Sequence, residues 1–176
     1  MGWRALKKGL DTLLETLTAF SMAVLVIDVT WQVITRFILK NPSNWTEELA
    51  TFLMIWVGLL GAAVALNRGA HLGIDYFVGK LAVKKRLFTE LFVFACTAAF
   101  SISVLLLGGL RLVSITFMQG QISPALKIPM GYVYLSVPIA GFFIALYSIE
   151  FFIETVIKIK RRVSIPEAPF LDIKGS

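Results

Sequence analysis

The stretch LATFLMIWVGLLGAAVAL, residues 49–66, contains no charged side chain and decides the class of fold. A helix needs about 20 mostly apolar residues to cross the hydrocarbon core of a bilayer. Three further apolar stretches have a similar length, at residues 13–39, 91–110 and 129–157. A segment in lipid must satisfy its own backbone hydrogen bonds, which a helix does. We therefore predict an all-α integral membrane protein with four transmembrane helices, at about 13–39, 46–67, 87–112 and 129–157.

The composition leads to the same class. The chain has 176 residues, of which 57% are hydrophobic and 16% are charged, and its mean hydropathy is +0.81. This length accommodates about four crossings with short connections, so we expect a single membrane domain over residues 1–176. We find no internal sequence repeat, which argues against an inverted-repeat transporter core.

The Lys and Arg residues are distributed unevenly between the two ends of these helices. Thirteen of the 17 lie in the N-terminal segment, in the loop between the second and third helices, or in the tail at 158–176. Cytoplasmic segments carry such an excess, so both termini are predicted to be cytoplasmic. The net charge of +6 then suits contact with anionic membrane lipids, and no nucleic acid partner is expected.

The N-terminal segment, residues 1–12, has apolar residues at helical spacing. Trp3, Leu6 and Leu10 follow this pattern, while Arg4 and Lys7 lie between them. We predict an amphipathic helix that lies in the cytoplasmic membrane interface. The alternative is that this segment extends the first transmembrane helix into water.

Redox, metal and catalytic chemistry are poorly supported by the sequence. Cys96 is the only cysteine and His71 the only histidine. A disulfide needs two cysteines, and haem and most metal sites need several ligands. We predict no catalytic residue, no cofactor and no metal.

One carboxylate interrupts the first apolar stretch. An ionised Asp28 at this depth would cost on the order of 3 kcal/mol, so such residues often have a function, for example in proton or cation coupling. However, Asp28, Gln32 and Arg36 are spaced four residues apart and form a polar stripe on one helix face. We favour a structural role, in which the stripe is satisfied internally or by another subunit.

The second helix begins with several typical signals. Asn44 is predicted to be its N-cap, with Glu47 completing a capping box. Glu48 is predicted to interact with the positive end of the helix dipole, and Trp45 to lie at the membrane boundary. The anchoring interpretation is preferred over acid/base catalysis by the two carboxylates.

Small residues recur four apart in the second and fourth helices. Such spacing allows another helix to approach closely, because lipid provides no hydrophobic force to hold helices together. The pairs are Gly58 and Ala62, Gly61 and Ala65, and Gly141 and Ala145. The sequence leaves open whether the neighbouring helix belongs to this chain or to another.

Two further features lie in the connections. His71 and Asp75 are four residues apart in the middle loop, where they are predicted to stabilise a turn by a hydrogen bond; a pH sensor is the alternative. Pro129 is predicted to start the fourth helix, and Pro138 to kink it.

These motifs together resemble the DctQ-like small membrane subunit of TRAP transporters, the tripartite ATP-independent periplasmic carriers. The resemblance is strongest in VITRFILKNPSNWTEELATFLMIWVGLLGAAVALNRGAHLGID, residues 33–75, and continues in PALKIPMGYVYLSVPIAG, residues 124–141. The matching pairs are Arg36 and Phe37, Trp45 and Glu48, Gly61 and Ala62, and His71 and Asp75.

The resemblance implies a non-catalytic subunit in the bacterial inner membrane. A large multi-helix membrane subunit is then expected to carry the substrate and sodium sites, and a periplasmic binding protein to deliver an organic acid, such as a C4-dicarboxylate or sialic acid. The small subunit would brace the large one and help to dock the binding protein. The alternative is a proton-coupled exporter with four helices that acts as a homodimer through Asp28.

Overall fold

The structure is a computed structural model that describes residues 2–41, 43–68 and 83–163. Its helices are α1 Gly2–Phe37, α2 Asn44–Asn67, α3 Val83–Phe100, the π-helix π1 Ser101–Gly108, α4 Gly109–Met118, α5 Met130–Tyr134 and α6 Ser136–Val163. We call α3, π1 and α4 the third span, and α5 and α6 the fourth span.

The prediction of four transmembrane helices is confirmed. Within the described ranges, four helical segments are long and apolar enough to cross a membrane: Lys7–Phe37, Asn44–Asn67, Leu87–Met118 and Met130–Lys160. Large apolar side chains on their surfaces are widely exposed, including Phe20 at 67%, Ile27 at 69% and Phe92 at 69%. Such surfaces are stable in contact with lipid and would be unfavourable in water.

The third span is longer than the sequence predicts. It continues to Met118, beyond the predicted end near residue 112. Arg111, the first charged residue after the uncharged stretch at 91–110, lies inside the helix with an exposed side chain. A long cationic side chain can extend its charged group along a helix to the membrane surface, so one arginine near the end of a span does not terminate it.

Helix α1 runs without interruption from Gly2 to Phe37, so the described residues of the N-terminal segment are its first turns and not a separate helix. This continuity agrees with the alternative in which the segment extends the first transmembrane helix, and the interfacial position of residues 1–12 stays a prediction. Leu14 is only 1% exposed and belongs to the hydrophobic core, which shows that this end of α1 packs tightly against the other helices.

The core lies where α1, α2 and α6 meet. Its buried members are Leu14, Leu60, Ala63, Leu66, Ala140, Phe143 and Tyr147. Helix α6 packs against both α2 and the third span, while α1 packs mainly against α2. The fourth span is therefore the central element and has the largest buried fraction of the four.

We call the end of the bundle at which α1 begins and α6 ends the tail end, and the end that carries residues 38–41 and 119–129 the loop end. Polar contacts join the helices at the tail end. The Tyr147 hydroxyl donates a hydrogen bond to Asp11 Oδ1 at 2.6 Å, and Lys7 forms an ion pair with Glu150. These contacts fix the N-terminal turns of α1 against α6.

We expect Tyr147→Phe to lower the free energy of unfolding by about 1–2 kcal/mol, because it removes the hydroxyl that donates to Asp11. Thermal unfolding in detergent measures this loss. Tyr132→Phe is the matched control: Tyr132 is 55% exposed, so its change should stay below about 0.5 kcal/mol. Equal losses in the two variants would show that the Asp11 contact contributes nothing.

The third and fourth spans approach each other closely. A Cβ atom added at Gly141 would lie 2.6 Å from Leu105 Cβ and 2.9 Å from the Leu105 carbonyl carbon, so only glycine allows this contact. Leu105 lies in π1, whose eight residues form a wider helix than the flanking α-helices. One of the small-residue pairs predicted from sequence therefore serves packing within the chain.

Pro138 shapes the fourth span. It has no N–H to donate to the carbonyl of Tyr134, and the helix is interrupted at Leu135, between α5 and α6. A Cβ added at Gly109 would lie 3.0 Å from Pro138 Cδ, so the proline ring packs directly on that glycine. The predicted kink at Pro138 thus corresponds to a break one turn before it.

Candidate partner-binding surfaces

The start of α2 differs from the predicted capping box. Ser43 is the N-cap, with extended backbone angles (φ −94°, ψ 119°), and Asn44 is already the first helical residue. The Thr46 hydroxyl donates to the Ser43 carbonyl oxygen at 2.8 Å and lies 2.6 Å from the Ser43 hydroxyl. The prediction that Asn44 caps the helix is wrong, because a cap residue must be non-helical. Glu47 lies exposed in the first turn.

Glu48 does more than interact with the helix dipole. Its Oε2 atom accepts hydrogen bonds from the backbone N–H groups of Ala125 and Leu126, each at 2.8 Å. These residues lie in the connection between the third and fourth spans, 77 and 78 positions along the chain. Glu48 therefore ties the first turn of α2 to the loop at residues 119–129.

That loop has a defined internal structure. The Ser123 N–H donates to the Ile128 carbonyl oxygen at 3.0 Å, and the Ser123 hydroxyl accepts from the Ile128 N–H at 3.2 Å. Lys127 has a φ of 54°, in the left-handed region that side-chain-bearing residues seldom occupy. Pro129 pairs with Ile122 in an isolated bridge and is the N-cap of α5, directly before Met130.

An open depression of about 680 Å³ lies between this loop and α2. Trp45 and Glu47 contribute to it from the helix, and Pro124 and Ala125 from the loop. Trp45 is 46% exposed, which leaves much of its indole uncovered at the loop end. The depression has no signature in the sequence, because it depends on the distant contact made by Glu48.

The two glycines of α2 have no close neighbour within the described part of the chain. A Cβ added at Gly58 or Gly61 would meet no atom within 4 Å, and Ala62 is exposed beside them. By contrast, a Cβ added at Gly131 or Gly141 would meet atoms of this chain at 2.5–2.6 Å. We call the surface formed by Gly58, Gly61 and Ala62 the small-residue face of α2.

The three residues of the predicted polar stripe on α1 differ in their exposure. Asp28 is 6% exposed, Gln32 is half-buried and Arg36 is exposed. Asp28 Oδ2 is buried and receives no hydrogen bond from the described residues. Arg36 is therefore exposed on the surface of the chain, whereas one oxygen of the Asp28 carboxyl is covered.

The remaining predicted pair, His71 and Asp75, lies outside the described residues. Within the described ranges, no three His, Cys, Asp or Glu side chains come together as the ligands of a metal ion would.

The sequence profile described as "Tripartite ATP-independent periplasmic transporters, DctQ component" matches residues 22–158. The chain is 40% identical over 87 residues to the sialic acid TRAP transporter small permease protein SiaQ of Vibrio cholerae, covering 49% of this chain and 50% of that protein. It is 34% identical over 97 residues to the C4-dicarboxylate TRAP transporter small permease protein DctQ of Rhodobacter capsulatus, covering 55% and 42%.

A third relative is the isethionate TRAP transporter permease protein DctMQ of Oleidesulfovibrio alaskensis. It is 28% identical over 125 residues, which cover 68% of this chain and 20% of that protein. The chain thus spans half or less of the length of these three curated relatives.

These relatives are transporter permease proteins and not enzymes, which agrees with the absence of catalysis predicted from sequence. Of the two functions considered, the family match corresponds to the transporter subunit. Because the family profile covers most of the chain, from the first span into the last, this protein belongs to the DctQ component family of tripartite ATP-independent periplasmic transporters and is a protein of the bacterial inner membrane.

Proposed function

We propose that this chain is the small membrane subunit of a sodium-driven TRAP transporter for an organic acid of the sialic acid or C4-dicarboxylate kind. Its relatives SiaQ and DctQ, named for these two substrates, support the substrate class. In this proposal a large multi-helix subunit moves the substrate and the ions. The present chain braces that subunit and binds neither.

The small-residue face of α2 is the observation that carries the bracing role. Small side chains are used in membranes where helix backbones approach closely, and this chain uses them so at Gly141. Gly58 and Gly61 lie in the same kind of pattern, yet the described helices leave them uncovered. A transmembrane helix of the large subunit would fill this face.

A relative in which the corresponding segment belongs to a longer polypeptide gives further support for such a partner. The chain aligns with only 20% of the permease protein DctMQ, so the corresponding segment there is part of a much longer polypeptide. A short chain that corresponds to one part of a long permease is expected to work beside the remainder.

We also propose that the loop end faces the periplasm and takes part in docking the substrate-binding protein. The excess of Lys and Arg at the tail end supports this orientation. The loop at 119–129 is suited to docking because its backbone is held by Glu48. A rigid loop loses less conformational entropy on binding than a flexible one.

We expect Gly61→Leu to reduce the amount of large subunit that copurifies with this chain about tenfold or more. A leucine side chain would hold the partner helix away from the α2 backbone, and a loss of about 1.4 kcal/mol corresponds to a factor of ten in affinity. Co-expression of a tagged chain with the large subunit, followed by gel filtration in detergent, measures this effect. Gly9→Leu is the matched control, since Gly9 is also unobstructed but lies near the tail end of α1.

An intact complex with Gly61→Leu would contradict the proposed contact on α2. Reconstitution into liposomes tests the subunit role separately. Uptake of the organic acid on a sodium gradient should require the large subunit and the binding protein together with this chain. Accumulation of solute by this chain alone would overturn the proposed function.

A further inference from the structure

The open depression between α2 and the loop at 119–129 is acidic. Two carboxylates, those of Glu47 and Glu48, contribute to its lining, and the other lining side chains are uncharged. None of the described Lys or Arg residues lines it. The start of α2 adds only about half a unit of positive charge to this region. The depression therefore keeps a net negative charge.

The two carboxylates are not equivalent. Glu48 is half-buried, and its Oε2 atom already accepts the backbone N–H groups of Ala125 and Leu126, each at 2.8 Å. Glu47 is exposed, and its side chain takes part in no hydrogen bond or ion pair with the described residues. Its charge is therefore available to a group that enters the depression from outside.

Trp45 lines the same depression and is 46% exposed. A cation over the face of an indole ring is attracted by the ring, and arginine can also stack on it. A guanidinium group can in addition donate two parallel hydrogen bonds to one carboxylate. An anionic group would be repelled by Glu47, and an apolar group would take water from Glu47 without replacing its hydrogen bonds. Indole and carboxylate together thus favour a basic side chain.

We propose that this depression binds a basic side chain, arginine in particular, on the surface of the substrate-binding protein. The inference rests on the proposed function, in which the loop end faces the periplasm. The wall formed by Pro124 and Ala125 lies in the connection between Met118 and Met130, outside the helical spans, where a soluble partner can reach it. Glu48 holds this wall in place before the partner binds, so less conformational entropy is lost on docking.

Affinity measurements on the assembled membrane complex test the inference. This chain and the large subunit are reconstituted together in lipid nanodiscs, and binding of the transporter's own substrate-binding protein is measured. Glu47→Lys should weaken binding about tenfold or more, because it places like charges in contact. Glu47→Gln should weaken it about threefold or more and reduce its dependence on salt. Trp45→Leu, which removes the indole, should also weaken it about threefold or more.

Asn41→Lys is the matched control for charge. Asn41 is exposed at the loop end but does not line the depression, and its replacement changes the net charge by the same amount as Glu47→Gln. If contact within the depression is what matters, the affinity of Asn41→Lys should stay within about twofold of the unmodified complex, because charges separated by more than about 8 Å are largely screened at physiological salt.

Cross-linking identifies the group that enters the depression. A photoreactive amino acid in place of Ala125 should form a covalent product with the substrate-binding protein, at a segment that contains an arginine or a lysine. Changing that basic residue to glutamate should weaken binding to the unmodified complex. The same change should restore binding to the Glu47→Lys complex, because the two charges are then exchanged.

Unaltered affinity in both Glu47→Lys and Glu47→Gln would overturn the inference and leave the docking role intact. Failure of the unmodified complex to bind the substrate-binding protein would instead overturn the docking role, and the inference with it. Cross-linking of residue 125 to the large subunit, or loss of that subunit from the folded Glu47→Lys protein, would show that the large subunit covers the depression, which also contradicts the inference.

Discussion

Replacing Glu48 by alanine is expected to lower the free energy of unfolding by about 2–3 kcal/mol. The variant removes two hydrogen bonds from backbone N–H groups to a charged acceptor. Such bonds contribute about 1.5–3 kcal/mol each, and the value is reduced here because Glu48 is only half-buried. The Ala125 and Leu126 N–H groups would lose their acceptor, so their amide hydrogen exchange should become much faster. Thermal unfolding and hydrogen exchange in detergent measure the two effects.

Glu47→Ala is a closely matched control. Glu47 has the same charge, is the adjacent residue in the first turn of α2, and is exposed. Removing it should change stability by less than about 0.5 kcal/mol and leave the exchange of the loop amides unaltered. Glu48→Gln should fall between the two, because it keeps an oxygen acceptor but loses the charge. If Glu47→Ala and Glu48→Ala have the same effect, the helix dipole and not the loop explains the role of both residues.

The membrane class and the number of spans could be predicted because they depend on local sequence. A long uncharged stretch such as residues 49–66 has no other stable environment, whatever its neighbours are. The predicted end of the third span near residue 112 depends on a single charge, Arg111, but the helix continues past it because an arginine side chain can extend away from the apolar region. The start of α2 was misassigned by one residue for a related reason, because Ser43 and Asn44 are both good cap residues.

The contacts of the candidate surfaces could not be predicted because they are not local. No sequence pattern near Glu48 indicates that its carboxylate contacts Ala125. Only the fold of the chain brings the two residues together. The contacts of the small-residue pairs also cannot be predicted from local sequence. Gly61 and Gly141 occur in identical spacing, but the structure distinguishes them: Gly141 contacts the third span, whereas a Cβ added at Gly61 would meet no atom of the described residues within 4 Å.

Adding a single methyl group should therefore have opposite effects at two glycines of similar sequence context. Gly141→Ala is expected to lower the free energy of unfolding by about 1–3 kcal/mol, since the new Cβ would lie 2.6 Å from Leu105 Cβ and force the third and fourth spans apart. Gly58→Ala places its Cβ in open space and should leave stability unchanged or raise it by up to about 1 kcal/mol through better helix propensity. Unfolding of the isolated chain in detergent compares the two, and destabilisation of equal size would contradict the assignment of Gly141 to an internal contact.

A second substitution tests which atoms cause the effect at Gly141. The nearest atoms are Leu105 Cβ and the backbone of Leu105 and Leu106, so shortening the side chain by Leu105→Ala should not restore the stability lost in Gly141→Ala. Gly131 is the contrasting case: the three atoms nearest to a Cβ there are ring atoms of Phe117, at 2.5–2.7 Å. Gly131→Ala should consequently be compensated by Phe117→Ala, because a side chain can be removed whereas a backbone cannot. Rescue of Gly141→Ala by Leu105→Ala would mean that the outer atoms of the leucine, and not the close approach of the two helix backbones, make glycine necessary at residue 141.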